Sequence, residues 1–274
     1  MAGARQYPAS REWLEYVRTG TLPQGKISLT FDDCLRCQYD VALPVLEKFG
    51  LTGFWFVYTG HIFDNLVPRL EVYRYFRTAR FPDLETFYGR FFSIARRDIG
   101  DEVDRWRDSF DRGKLVGYPD YYTLHDCQFR EMRDNLLGER QYSEIMDTMI
   151  AEEGMDVPSI LDKVLMGRDQ ILDLHRKGHV LGLHSHTHPT TMERLPAERQ
   201  RQQYESNRAD LLRITGVRPQ TISHPSNSYS PVTLDILSSL GIRYGFRANV
   251  DQLEHGPLEL PREDHSTLMR AMTK

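Results

Sequence analysis

A stretch of ten residues, "GLHSHTHPTT" at positions 182–191, contains three histidines at alternate positions. The whole chain has ten histidines, so three within five residues is a local concentration of imidazole, the commonest metal ligand among side chains. His184 and His188 are four residues apart, and one helical turn would place both rings on one side, with His186 pointing away. Pro189 disfavours helix at His188, so that turn must be short. The stretch is therefore either a polar loop or part of a metal site.

Two adjacent aspartates, Asp32 and Asp33, follow the alternating apolar residues of "KISLTF". Side-by-side carboxylates need a cation or solvent to remain ionised. Two imidazoles and one carboxylate, with positions left open for water, are the usual protein ligands of a catalytic zinc ion. An aspartate pair alone is an ordinary turn signal, and the histidines alone are an ordinary loop. Their joint occurrence at predicted strand ends favours a metal-dependent catalytic site.

The elements around these residues alternate between strand and helix. "KISLTFDD" and "TGFWFVYTG" are predicted strands, and "VALPVLEKFG" between them is a predicted helix that Gly50 ends. Further strands are predicted in "HVLGLHS", "QTISHPS", "IRYGFRA" and "LELPR", and further helices in "RDQILDLHRKG", "AERQRQQYESNRADLLRITG" and "SPVTLDILSSLG". Alternation of this kind predicts parallel strands with crossover helices, hence an α/β barrel or a doubly wound sheet. In such folds the loops after the strands carry the site, and a third polar cluster, "SHPSNSY" at 223–229, falls there as well.

The alternation is interrupted between residues 65 and 165, where apolar residues recur at helical spacing. A structureless loop of that length is implausible in a compact domain, so we expect a large helical insertion after the second strand. The predicted domains are accordingly 1–64 with 166–274, which form the (β/α) unit, and the insertion 65–165.

The composition of the chain excludes some classes of function. The 274 residues carry a formal net charge of −4, which does not support nucleic-acid binding, since that usually needs a basic face. The three cysteines are too few for a disulfide framework, and the single CxxC of Cys34 and Cys37 is a weak zinc or redox signal. No run approaches the ~20 apolar residues of a membrane span, and no apolar signal-peptide core is present. We therefore expect a cytoplasmic protein without an integral membrane segment.

Three motifs in this chain carry a family resemblance. "TFDD", then "HSHTHP" preceded by "LHRKGHVLGLHS", then "TISHPSNSYS" resemble the first three motifs of the polysaccharide deacetylase (NodB-homology) family, carbohydrate esterase family 4. The similarity spans residues 24–64 and 166–264. It implies a distorted (β/α)-barrel of the NodB deacetylase type that removes acetyl groups from N-acetyl sugars with a divalent metal, usually zinc, with cobalt, nickel, iron or manganese as alternatives.

The resemblance also implies roles for individual residues. Carried over by position, the metal ligands are Asp33, His184 and His188, and the general base is Asp32. The backbone N–H of Ser226 is the implied oxyanion donor, with Tyr229 on the substrate side of the same loop. Asn227 occupies a position where the family prefers glycine, and asparagine tolerates the left-handed backbone better than most residues.

The chain departs from the family pattern in two places. Ser223 stands where the third motif often has an arginine that holds the catalytic aspartate, so Arg262 or Arg247 is expected to supply that charge from a later strand. The usual C-terminal histidine acid is not matched either. The candidates for the general acid are His265, His255 and His224, in that order.

Three functions remain open from the sequence. The first is an N-deacetylase acting on a nucleotide-linked, lipid-linked or oligosaccharide N-acetyl sugar. The second is a metal-dependent hydrolase of a non-sugar amide or cyclic imide, and the third is a non-catalytic carbohydrate-binding relative. The intact Asp32 argues against the third, because pure binding needs no general base. Homo-oligomerisation is left open.

The insertion has a charge pattern of its own. Residues 69–97 contain seven arginines and three acidic residues, interleaved with Tyr73, Tyr75, Phe76 and Phe81. Arginine binds phosphate bidentately, and aromatic faces suit bases or sugars. One hypothesis is a substrate-binding cap that holds an anionic carrier group. The alternative is a solvated arginine face over a private aromatic core.

Overall fold

The computed structural model describes residues 7–21, 24–111, 123–251 and 255–272. The chain forms two compact units, Met1–Pro68 with Leu165–Lys274, and Arg69–Val164. Residues 1–6, which belong to the segment searched for an export signal, lie outside the described residues. Among the helices that are described, none is long and apolar enough to span a bilayer.

The first unit contains a parallel sheet. Its strands are β1 Leu29–Phe31, β2 Gly53–Val57, β3 Val180–Leu183, β4 Thr221–Ser223 and β5 Tyr244–Phe246, and their order in space is their order in the chain. Every neighbouring pair is parallel. This order, in which each strand lies beside the next in the chain, is that of a (β/α)-barrel and not that of a doubly wound sheet, and it confirms the predicted distorted (β/α)-barrel class. The predicted strand "LELPR" is reduced to a single bridge between Leu260 and Phe246.

Helices connect these strands. In the first unit they are α1 Ser10–Thr19, α2 Leu43–Lys48, α3 Gly60–Phe63, α10 Arg168–Arg176, α11 Ala197–Thr215, α12 Pro231–Ser239 and α13 His265–Met272. A π-helical turn, Gln38–Ala42, precedes α2. Ser230 caps α12 by accepting from the Thr233 amide, and Gly216 ends α11 with φ 74°, a left-handed conformation that glycine adopts without steric cost.

Apolar side chains cover both faces of the central strand β2. Its five residues are all buried, as expected for a strand enclosed on two sides. Trp55 stacks on Phe31 with ring centroids 4.4 Å apart, on the face that packs against helices such as α11. Phe54 contacts Trp13 of α1 on the other face, at 5.7 Å. These contacts fix the strand ends from which the polar loops emerge.

The second unit is helical. Its helices are α4 Arg69–Ala79, α5 Leu84–Ile99, α6 Glu102–Ser109, α7 Leu124–Glu131, α8 Gly138–Glu152 and α9 Val157–Val164, with a π-helical turn, Met132–Leu137, between α7 and α8. Its core is separate from that of the sheet and rich in aromatic residues, including Phe76, Phe87 and Phe91. The second unit thus has a hydrophobic core of its own, and it begins where the strand–helix alternation stops.

Candidate active site

Three polar loops follow β1, β3 and β4. Because parallel strands end at the same edge of a sheet, these loops meet at one end of the first unit. The first loop carries Asp32 and Asp33, the second spans 184–188, and the third spans 224–229.

Asp33, His184 and His188 converge, although the aspartate is some 150 residues from the histidines. The Asp33 carboxylate oxygen Oδ1 lies 3.2 Å from Nε2 of His184 and 3.2 Å from Nε2 of His188. One donor atom from each residue lies within 4.8 Å of the others. Four-coordinate zinc with bonds of about 2.0–2.1 Å places neighbouring donor atoms roughly 3.3 Å apart. The donor set therefore fits a divalent metal ion such as zinc.

The tautomer of His184 suits a ligand. Its Nδ1 lies 2.8 Å from the carbonyl oxygen of Ser223. A carbonyl oxygen only accepts, so Nδ1 carries a hydrogen whether the ring is neutral or charged. When Nε2 gives up its own proton, its lone pair is directed towards Asp33, as a metal ligand at this position requires. An outer hydrogen bond of this kind is the usual way in which a metal-binding histidine is oriented.

The loop between the two histidines is not helical, and the predicted helical turn was wrong. Ser185 and His188 both have positive φ, 61° and 58°. The Ser185 hydroxyl accepts a hydrogen bond from the His188 amide at 3.0 Å. Pro189 explains the difference, because it excludes helical backbone at His188. The tight loop still brings the two rings together, with centroids 4.8 Å apart.

His186 turns away from the other two histidines. Its Nε2 lies 2.7 Å from an Asp64 carboxylate oxygen, and its Nδ1 lies 3.3 Å from Asp210 and 3.4 Å from the Thr59 hydroxyl. The hydrogen bond to Asp210 raises the pKa of His186, as does the one to Asp64, and together they outweigh the opposing effect of burial. His186 therefore anchors the loop through its contacts with Asp64, Asp210 and Thr59.

Helix α11 supports the same loop with a polar stripe that the sequence reading missed. Gln203 accepts from the backbone amides of His186 and Thr187, and Asn207 accepts from the amide of His184 at 3.0 Å. The amide group of Asn207 also donates to the carbonyl of Val57 at 3.0 Å. Gln203, Asn207 and Asp210 are spaced i, i+4, i+7, so the available signal was polar residues at positions where a sheet-facing helix should be apolar.

Asp32 has different partners from Asp33. The guanidinium of Arg262 donates to both of its carboxylate oxygens, at 2.9 and 2.8 Å, and the Ser223 hydroxyl donates to Oδ2 at 2.9 Å. Arg262 therefore supplies the charge for which the sequence left two candidates. Arg247, the other candidate, is buried, and its backbone carbonyl accepts from Nε of Arg262 at 2.8 Å.

The charges at this end of the sheet favour ionised carboxylates. Burial alone would raise the pKa of Asp33, but hydrogen bonds from His184 and His188 outweigh it and hold that pKa far below its usual range. Burial also opposes ionisation of Asp32, yet the charges of His184 and Arg262 lower its pKa. Burial opposes protonation of His184, but the charge of Asp32 and the hydrogen bond to Asp33 outweigh it and raise the pKa of His184. Two carboxylates here require positive charge, which a bound cation would supply.

The third loop has a backbone conformation that side chains rarely adopt. Ser226 and Asn227 both have positive φ, 52° and 57°, and Asn227 accepts from the amide of Ala248 at 2.8 Å. The expectation for Asn227 agrees with this conformation, whereas nothing in the sequence indicated it for Ser226. Of the seven described non-glycine residues with positive φ, six lie in the three loops. Unfavourable backbone conformations of this kind concentrate at functional sites.

The three histidines proposed as general acid lie in different environments. His224 is buried, its Nε2 bonds the carbonyl of Leu258 at 2.8 Å, and its ring stacks on Tyr229 with centroids 4.2 Å apart. Burial lowers the pKa of His224 to about 4. His255 and His265 are exposed, and His265 lies 3.6 Å from Asp264. In the part of the chain that is described, neither contacts Asp32 or a predicted metal ligand.

Comparison with solved structures places this fold among deacetylases. The deacetylase PplD from Streptococcus pyogenes, solved with acetate, matches with a TM-score of 0.54 and 16% identity over 97% of this chain and 79% of PplD. IcaB from Ammonifex degensii matches with a TM-score of 0.54 and 14% identity over 98% and 83%. The BpsB deacetylase domain from Bordetella bronchiseptica gives 0.51 and 16% over 94% and 78%. At these identities the likeness concerns the fold.

The sequence comparison identifies the family. No curated protein sequence matches this chain. The profile of the family described as polysaccharide deacetylase matches residues 19–86 and 144–245, which is more than half of the chain and includes strands β1 to β4, the start of β5 and the three site loops. The chain therefore belongs to the polysaccharide deacetylase family.

Proposed function

We propose that this protein is a metal-dependent hydrolase that removes the acetyl group from an N-acetylated sugar. The observation that carries the proposal is the convergence of Asp33, His184 and His188, with Asp32 beside them in an ion pair with Arg262. Family membership supports the reaction class, and the donor set supports a divalent metal, for which zinc is the first candidate. The N-acetylated sugar as substrate and zinc as the metal are both part of this proposal.

Asp33, His184 and His188 would hold the metal. When bound, a divalent metal lowers the pKa of water and polarises a carbonyl group, and this is the chemistry that it would supply here. The protein's own contribution begins with Asp32. Its carboxylate is ionised and held in one orientation by Arg262, so it is ready to accept the proton of the attacking water. The Ser226 amide would donate to the oxyanion that develops on the acetyl group.

Proton balance favours Asp32 in a second role. After the attack Asp32 holds one proton, and the departing sugar amine needs one. His224 is poorly suited to give it, because its pKa of about 4 keeps the ring neutral and Nε2–H is already bonded to a carbonyl. Asp32 can return the proton itself, since the nearby positive charges that lower its pKa make the protonated form a good donor. We therefore assign both steps to Asp32 rather than to a separate histidine.

The structure weakens the case for a non-catalytic relative. That alternative rested on the missing arginine of the third motif and on the unmatched C-terminal histidine acid. Arg262 lies beside Asp32 from another part of the chain and so accounts for the first departure. A pure binding site would gain nothing from a carboxylate held beside a metal site in the ionised state. The amide or imide hydrolase remains the alternative that an experiment must separate.

The test is acetate release by purified protein loaded with one metal at a time. The substrates would be a nucleotide-linked N-acetyl sugar, a free N-acetyl sugar and an N-acetylated oligosaccharide, with an N-acetyl amino acid and a cyclic imide as non-sugar controls. We expect acetate and free amine in equal amounts from at least one sugar, and no release after chelation. Turnover of the imide without any acetate from the sugars would instead establish the alternative.

A further inference from the structure

Six of the seven arginines between residues 69 and 97 are neutralised inside the helical unit. Their partners are acidic residues of the same unit: Asp147 for Arg69, Glu71 for Arg74, Glu153 for Arg80, Glu152 for Arg90 and Arg97, and Asp104 for Arg96. The aromatic residues between them pack in the unit's own core. These six arginines are therefore better described as a solvated face over the helical unit's own aromatic core than as a binding site for an anionic group.

Arg77 is the exception. No carboxylate among the described residues pairs with it, and its Nε is buried without a hydrogen-bond partner. An unpaired guanidinium nitrogen away from water is costly, because it loses its hydration and gains nothing in return. A group that persists in this state in a folded unit is a candidate for ligand binding.

Arg77 lines a pocket with a concentrated positive charge. The pocket has a volume of about 80 Å³, and its polar lining consists of Arg74, Arg77, Arg130, Arg133, Tyr73 and Tyr142. Arg74 and Arg77 are three residues apart on α4, and Arg130 and Arg133 are three residues apart across the end of α7 and the following π-helical turn. Two pairs of arginines from different helices therefore face one small space.

The carboxylates of the described residues near this pocket neutralise part of its positive charge. Glu71 lies 2.8 Å from Arg74, and Asp134 lies 2.6 Å from Arg133. Asp126 lies 4.0 Å from Arg130 and also accepts a short hydrogen bond from Tyr88. Within the part of the chain that the structure describes, Arg74, Arg130 and Arg133 each have a carboxylate within 4.0 Å, and Arg77 has none.

Tyr142 adds a neutral donor to the same pocket. Burial raises its pKa to about 12, although Arg133, Arg77 and Arg130 act in the opposite direction. Its hydroxyl therefore remains protonated, and no described residue hydrogen-bonds to it. Together with the arginine guanidinium groups it forms the kind of donor set that recognises phosphate oxygens.

We propose that this pocket of the helical unit is a binding site for a phosphoryl group, with Arg77 as its central ligand. A volume of about 80 Å³ lined by four guanidinium groups suits the compact anionic oxygens of one phosphoryl group. The group is either free phosphate or the phosphate end of a larger ligand that remains outside the pocket. The site is independent of the proposed deacetylase activity.

The test measures binding of inorganic phosphate to the full chain, by titration calorimetry and by the shift in thermal unfolding temperature at constant ionic strength, with potassium chloride as the reference salt. We expect a saturable phosphate-specific shift in the wild type. Arg77→Met should weaken phosphate binding at least tenfold. Arg77→Lys keeps the charge but loses the planar guanidinium group, so its phosphate affinity should lie between those of the wild type and Arg77→Met. Arg80→Met is the matched control, because Arg80 directly follows α4 but pairs with Glu153 outside the pocket. This variant should bind phosphate as the wild type does.

A sugar phosphate measured in parallel distinguishes the two sources of the phosphoryl group. Tighter binding than inorganic phosphate would assign the pocket to a phosphate ester, and equal or weaker binding would assign it to the free ion. The proposal is overturned if neither probe shifts the wild type beyond the chloride reference, or if Arg77→Met and Arg77→Lys bind both probes as the wild type does. A failure of Arg77→Met to fold would leave Arg77→Lys and the wild-type titration to decide.

Discussion

Arg262 and Asp32 form a forked ion pair, with Nη1 2.9 Å from Oδ1 and Nη2 2.8 Å from Oδ2. The guanidinium is itself held by the carbonyl of Arg247, and its Nη2 also donates to the Ser223 hydroxyl at 2.7 Å. Asp33, the next residue, instead contacts two imidazoles. Two adjacent and chemically identical side chains thus have different partners, which fits the roles proposed for them, Asp32 as the base and Asp33 as a metal ligand.

This difference predicts that the two aspartates respond differently to the same change. Asp33→Asn should lose both metal and activity, because the amide lacks the negative charge that the site offers to a cation. Asp32→Asn should retain the metal and lose activity by roughly 10²–10⁴-fold, the usual contribution of a general base. Metal content per chain and acetate release would be measured on the same samples.

The double variant Asp33→Ala/His188→Ala is the control for the location of the metal site. It removes two of the three ligands, so bound metal should fall to background. Metal retained at the wild-type level in this variant would show that the ion binds elsewhere in the chain.

Arg262 is expected to set the pH at which Asp32 becomes a base. Removing the guanidinium in Arg262→Gln removes a charge that lowers the pKa of Asp32, so that pKa rises. Since Asp32 must be ionised to accept a proton, the acid limb of the kcat/KM profile should move to higher pH. The rate at the optimum should fall by roughly 10–100-fold, since a hydrogen bond to a charged group is worth about 1.5–3 kcal/mol.

Ser223→Ala is the matched comparison for this prediction. It removes one neutral hydrogen bond to Asp32 and leaves the charge of Arg262 in place. The acid limb should therefore move less than in Arg262→Gln. Identical profiles for the wild type and Arg262→Gln would mean that the ion pair does not control the base.

The sheet could be predicted from the sequence because its signals are local. Period-two alternation before Asp32, an apolar run in β2 and glycines that end the helices each act within a few residues, and together they predicted parallel strands with crossover helices. The convergence of Asp33 with His184 followed from this topology, since loops at the same strand ends must meet. The failed prediction of a strand in "LELPR" has a physical cause, because only Leu260 pairs with β5 there.

The rest of the site depends on contacts between distant residues. The left-handed backbone at Asp33, Ser185 and Ser226 is not the preference of these residue types, so tertiary contacts must impose it. The choice between Arg262 and Arg247 could not be made from the sequence either, because both follow predicted strands and only the packing of the last segment decides which one reaches Asp32. The polar stripe of α11 is visible in the sequence, but residue types alone do not distinguish polar side chains that support a loop from an ordinary solvated face.

Asn207 of that stripe is predicted to support both stability and metal binding. It is fully buried and bonds the amide of His184, the carbonyl of Val57 and the hydroxyl of Thr59, each at 3.0 Å. Asn207→Leu keeps the volume and leaves these three groups without that partner, at a cost of about 1–3 kcal/mol for each one left unsatisfied. The unfolding free energy should therefore drop by roughly 3 kcal/mol or more, and metal affinity by roughly 10–100-fold.

Denaturant unfolding and metal titration of the same variant provide the two measurements. Asn135→Leu is the control, because Asn135 is exposed and, among the described residues, its side chain donates to Glu131 one turn earlier. Its effect on the unfolding free energy should stay within about 0.5 kcal/mol. A metal affinity of Asn207→Leu equal to that of the wild type would show that the stripe serves folding alone.

The lowered pKa of His224 predicts how the stability of the fold depends on pH. Burial lowers its pKa to about 4 in the folded chain, whereas the unfolded chain has the ordinary value near 6.5. Between these values the unfolded state binds more protons. The contribution of the neutral His224 ring to the unfolding free energy is therefore fully present above about pH 6.5 and is lost as the pH drops towards 4. The lowered pKa corresponds to at most about 3 kcal/mol at the acid end of this window.

A neutral replacement isolates this contribution from those of the other titrating groups. In His224→Gln the side-chain amide can still donate to the carbonyl of Leu258, but it takes up no proton, so its unfolding free energy should change less between pH 7 and pH 4.5 than that of the wild type. His265→Gln is the comparison, because that ring is exposed and its replacement should leave the wild-type slope unchanged. Denaturant unfolding at four or five pH values measures all three slopes. Equal slopes for His224→Gln and the wild type would mean that the buried ring takes up its proton with the ordinary pKa, and so would contradict the effect assigned to its burial.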